Sequence, residues 1–97
     1  MNIENTDQNQ LTVSLALSHL SKAARAAATA DYDYLLNDFH AVRGSILRGD
    51  LDTDALSDLM GAIYATKHER HAKKIRVAFA DGINQLAKAG IDVHALR

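Results

Sequence analysis

Residues 53–89 read TDALSDLMGAIYATKHERHAKKIRVAFADGINQLAKA. Two apolar stripes at helical spacing run through them: Leu56, Leu59, Met60 and Ile63, then Ile75, Phe79, Ile83 and Leu86. Between the stripes, Thr66 to Lys74 holds a single apolar side chain, Ala72. On a straight helix at about 100° per residue the second stripe is rotated by roughly 140° from the first. Either the helix breaks near residues 66–72, or one helix of about 55 Å offers its two halves to different neighbours. The continuous helix would call for a second copy of the chain, because few elements remain to cover the second stripe.

The segments before residue 53 are also helical in pattern. Val13, Leu17, Leu20, Ala24 and Ala27 recur at spacings of four and three, and the alanines from Ala23 to Ala30 make that helix thin enough for close approach. Leu11, Val13, Leu15 and Leu17 also alternate as a strand would, but no second run could pair with such a strand. Asp31 and Asp33 suit a first turn better than a helix interior, so the chain is divided near Thr29–Asp31. Tyr32, Leu35, Leu36, Phe39, Val42, Ile46 and Leu47 then form one face, with Asp38, Ala41 and Ser45 opposite. Arg48-Gly49 supplies a left-handed stop, and Asp52 or Thr53 can cap the next helix. Asp7 or Asn9 can cap the first helix, and Gly90 with Ile91 folding back ends the last.

The expectation is an all-α fold, a small bundle of three to four helices over about 10–29, 32–48 and 53–89, with a break near 66–72 left open and a short C-terminal tail. Residues 1–9 are expected to be a flexible arm on a single helical domain, 10–97. Seventeen alanines, twelve leucines and no proline agree with this, and the absence of cysteine excludes disulfide scaffolds, cysteine-ligated zinc modules and thiol chemistry. The polar, acidic start has no basic flank or leucine run of the secretory kind, and no stretch reaches membrane-spanning length. The cytoplasm is the expected location.

The formal charge of −1 conceals an uneven distribution. Residues 1–66 carry four basic side chains (Lys22, Arg25, Arg43 and Arg48) against nine acidic ones; residues 67–97 carry seven basic against three acidic. The basic centre is Lys67, His68, Arg70, His71, Lys73, Lys74 and Arg76, the candidate binding residues for a partner or for phosphates. The structural alternative is a solvated face, or a segment that meets Asp50, Asp52, Asp54 and Asp58 within one chain or across a dimer. No aromatic-rich reading surface is evident in the sequence.

Other constellations carry less. His68 and His71 share a helical face, but the spacing is one short of the zinc-hydrolase motif and Glu69 projects about 100° away, so no metal or cofactor is assigned. Arg48-Gly49-Asp50 spells an integrin tripeptide that an inter-helix turn explains equally well. Gln85 to Asp92 resembles the first helix and turn of a helix-turn-helix, with one residue too few between alanine and glycine. No serine sits in a nucleophile elbow and no glycine-rich phosphate loop follows a strand. The sequence therefore points to a non-catalytic helical interaction protein, a small regulator, inhibitor, adaptor or chaperone that binds a protein partner and forms a homodimer by coiled-coil-like packing. The alternative is a nucleic-acid-binding protein using segment 67–76.

Overall fold

The computed structural model describes residues 3, 6–91 and 93. Four α-helices follow one another: α1 (Asp7–Thr29), α2 (Leu36–Leu47), α3 (Thr53–Tyr64) and α4 (Lys73–Lys88). A 3₁₀ turn leads into α2 (Asp33–Leu35) and another into α4 (Arg70–Ala72). The described residues contain no strand, and the leucine alternation near residue 13 lies wholly within α1. None of the described helices is long and apolar enough to cross a membrane.

The boundaries follow from local chemistry. Thr6, rather than Asp7 or Asn9, caps α1 by accepting from the Asn9 N–H at 3.1 Å. Residues 7–9, expected in the arm, are therefore the first turn of the helix, and upstream the Ile3 N–H donates to the Gly49 carbonyl at 3.0 Å. Asp52 caps α3 through Ala55 N–H at 3.0 Å. The ends of α1, α2 and α4 share one device: a residue with positive φ, at Asp31 (65°), Gly49 (78°) and Gly90 (89°). The next amide then reaches back five residues, Tyr32 to Ala27, Asp50 to Ser45 and Ile91 to Leu86. Asp31 holds this conformation without being glycine, at a cost of about 1–2 kcal/mol that asparagine and aspartate tolerate best.

The question posed by residues 53–89 is answered by a break. After Tyr64 the chain leaves the helix, turns through 65–69, and re-enters it at α4. Both stripes then face one core: Leu56, Leu59 and Ile63 from α3, with Ile75, Phe79 and Leu86 from α4, are all buried. The argument for a second copy that rested on a continuous helix no longer applies.

The most extensive packing is α1 against α4, antiparallel, and small residues permit it. Ala16, Ala23, Ala24 and Ala27 of α1 and Ala78 and Gly82 of α4 are all buried, and a Cβ on Gly82 would stand 3.2 Å from Leu20 Cγ and Cδ2 and 3.5 Å from the Ala16 carbonyl. Phe39 of α2 meets Phe79 of α4 edge-on, 6.2 Å between centroids. The Cα radius of gyration, 12.5 Å, is what a compact chain of this length adopts. Two residues depart from the expected faces. Leu47 is exposed, while Ser45 is buried because its hydroxyl donates to the Val42 carbonyl at 2.7 Å. Of the expected tail, Ile91 and Val93 are buried; the rest lies outside the described residues.

Candidate anion-binding groove

The antiparallel packing of α1 and α4 brings the last two turns of α1 beside the start of α4. An open groove of about 860 Å³ lies there. Its α1 wall carries Lys22, Arg25, Ala26 and Thr29, continuing to Ala30 and Asp31; the opposite wall carries Arg70, His71, Lys73 and Lys74. Five permanent cations and one histidine therefore face a single concavity that contains one carboxylate. All six basic side chains are solvent-exposed, and among the described residues none of the five cations has an acidic partner within ion-pair distance. The acidic side chains Asp50, Asp52, Asp54 and Asp58 lie in the α2–α3 turn and α3, away from the groove lining.

The α4 wall is held in place by a small polar network. Arg76 folds back so that Nη1 donates to the Thr66 carbonyl and, at 2.7 Å, to the Glu69 carbonyl. The same guanidinium thus satisfies carbonyls just past the C-terminus of α3. The Glu69 carboxylate accepts the hydroxyl of Tyr32, which stands in the α1–α2 connection. That hydrogen bond, with the nearby carboxylate charge, raises the Tyr32 phenol above its ordinary pKa. The Tyr32–Glu69 contact ties the turn before α4 to the connection after α1, and the chain neighbours of its two residues, Asp31 and Arg70, both line the groove.

The seven sequence candidates divide accordingly. Arg70, His71, Lys73 and Lys74 line the groove. Lys67 and His68 stand in the preceding turn, where the Lys67 ammonium lies 4.8 Å from the centre of the Tyr64 ring. Arg76 is committed to backbone carbonyls and supports the site from behind. His68 and His71 do not share a helical face, because the break falls between them, and no three metal-ligating side chains converge among the described residues.

Sequence reasoning missed Lys22 and Arg25, the two cations of the α1 wall. They belong to a stripe, Leu11, Leu15, Ser18, Lys22, Arg25 and Thr29, whose spacing of four and three places all six on one face of α1, and all six are exposed. That periodicity was present in the sequence, but it is the outward face of a helix whose apolar face drew the attention. Comparison with protein-family models, with curated proteins and with solved structures returns no match, so the groove's own chemistry carries the functional reading.

Proposed function

We propose that the chain is a non-catalytic binding module of the cytoplasm whose groove takes the phosphodiester backbone of a nucleic acid. The observation that carries this is the convergence of Lys22, Arg25, Arg70, Lys73 and Lys74, from two separate elements, on one concavity lined by a single carboxylate, Asp31, with no ion pair to any of the five among the described residues. A merely solvated face would have no reason to draw cations from both ends of the chain to the same side. The protein has twelve acidic side chains, and five of its eleven Lys and Arg residues nonetheless stay together, with no ion-pair partner among the described residues. Fixed cations attract phosphates and gain from counterion release, which makes affinity depend steeply on salt.

The test is fluorescence anisotropy with a labelled oligonucleotide between 50 and 200 mM salt. If all five cations meet phosphates of a single strand, affinity falls about a hundredfold over that range. Lys73→Glu with Lys74→Glu abolishes binding while the helical circular dichroism is unchanged. Binding retained in that variant overturns the proposal.

A second reading has its own observation. Leu11 is 66% exposed and Leu15 is 44% exposed, on the same stripe of α1 as Lys22 and Arg25. An acidic amphipathic helix of a partner protein would match a face that is apolar at one end and basic at the other, as a regulator or adaptor requires. Leu11→Ser with Leu15→Ser would weaken that complex and leave oligonucleotide binding unchanged.

A further inference from the structure

Tyr32 and Tyr34 stand far in sequence from the cations of α4, yet contacts place them next to residues that line the groove; Tyr64 stands nine residues before Lys73, and none of the three lines the groove itself. Tyr32 reaches Glu69, whose neighbour Arg70 lines one wall, while Asp31, the neighbour of Tyr32, lines the other. The Tyr34 ring packs tilted on Tyr32, 6.0 Å between centroids, and is 64% exposed. Tyr64 is 68% exposed and holds Lys67 over its ring, in the turn that contains Glu69. An exposed ring beside a second ring offers a face on which a planar group can stack.

We infer that the ligand of the groove is a single-stranded nucleic acid, whose backbone lies along the cations while an unpaired base stacks on Tyr34. This rests on the phosphodiester reading above and deepens it. In a duplex the base faces are covered by their neighbours and have nothing to offer an exposed tyrosine. A single strand presents both charge and π-face, and base–aromatic stacking on top of a basic track is the general physics of single-strand binding. The groove's shape agrees, because the start of α4 forms one wall of a concavity rather than projecting as a helix that enters a major groove does.

The chain contains no tryptophan, so its intrinsic emission is tyrosine emission and reports on these rings directly. The experiment compares a labelled 20-nucleotide oligothymidylate with a duplex of the same length and with a poly-glutamate peptide, using wild type, Tyr34→Ala, Tyr34→Phe and the Lys73→Glu, Lys74→Glu pair. The expected result is preference for the single strand by tenfold or more, with quenching of tyrosine emission on binding. Tyr34→Ala should weaken single-strand binding roughly tenfold and leave its salt slope unchanged, since the residue contributes no charge. Tyr34→Phe should restore the affinity. Equal affinity for duplex, or an unaffected Tyr34→Ala, overturns the stacking inference while leaving the phosphodiester reading in place. Poly-glutamate bound as tightly as the oligonucleotide, or no oligonucleotide binding at all, overturns both.

Discussion

Arg76→Ala tests whether the groove wall is held as described. In the native chain the guanidinium donates to two carbonyls, Thr66 and Glu69. Each carbonyl keeps a second donor when Arg76 is lost: the Glu69 N–H on Thr66 at 2.9 Å and the Ala72 N–H on Glu69 at 3.3 Å. No acceptor is left orphaned and Arg76 is only half-buried, so the cost falls below the range for two charge-assisted bonds, at about 1 kcal/mol each and about 2 kcal/mol in total. At about 4–8 °C per kcal/mol for a domain of this size, the melting temperature should drop by roughly 8–15 °C. Urea denaturation followed by circular dichroism should show the midpoint shifted with the slope unchanged, and Arg76→Lys, whose ammonium spans only one of the two carbonyls, should lie between. Amide exchange should rise in 66–72 before it rises in α1, because the loss is local to the turn. A midpoint within experimental error of wild type would show that Arg76 does not hold the turn, and the assignment of Arg76 to a supporting role would fail with it.

Three further outcomes follow from other contacts. Gly82→Val should destabilise by about 1–3 kcal/mol, because its Cβ would stand 3.2 Å from the fully buried Leu20 and 3.5 Å from the Ala16 carbonyl; a wild-type midpoint would contradict the close α1–α4 approach. Asp31→Asn should keep stability, since asparagine tolerates a φ of 65°, and should raise oligonucleotide affinity by up to about fivefold by removing the one carboxylate lining the groove; unchanged affinity would mean the ligand does not reach that end. Tyr32 should make the difference in stability between wild type and Tyr32→Phe depend on pH. Its folded pKa lies above the unfolded value of about 10, so its contribution is complete below pH 10 and lost as pH rises through the folded value. Thermal melts at pH 8 and 11 that show the same difference between the two proteins would exclude the Tyr32–Glu69 hydrogen bond.

What could be read in advance was whatever is encoded within a few residues. Asp52, Gly49 and Gly90 announce their helix boundaries because capping involves atoms three to five positions apart. The 140° offset between two stripes left a break and a continuous helix equally open, and the choice rests on tertiary packing, since the break is what lets Ile63 and Ile75 face one core. Ser45 and Thr66 were illegible for a related reason: each is buried with its hydroxyl on a carbonyl three residues back, at 2.7 Å, so a polar side chain is satisfied locally and hydropathy misplaces it. The groove was only half legible. Lys73 and Lys74 stand out in a basic run, whereas Lys22 and Arg25 are diluted by the nine acidic residues of 1–66 and join the site only when α1 packs antiparallel on α4. Arg76 was grouped with the ligand-facing cations because composition records charge and not direction.

The arrangement at the start of α4 is locally unfavourable, and that bears on what the groove is for. The N-terminus of a helix carries partial positive charge from unpaired amides, and a cation in the first turn is disfavoured there by about 0.3–1 kcal/mol. Here the first turn has no acidic residue and no side-chain cap, and it begins Lys73-Lys74. Arg76 escapes the penalty by bonding carbonyls beyond the end of α3, where the helix dipole is negative. Lys73 and Lys74 have no such outlet among the described residues; they face Lys22 and Arg25 across the groove, so the repulsion is compounded. An anion reverses every one of these signs at once, since the same amides and the same cations then attract. Local rules broken together, on one face and with one sign, are what a binding site for negative charge leaves in a sequence that is otherwise consistent with its fold.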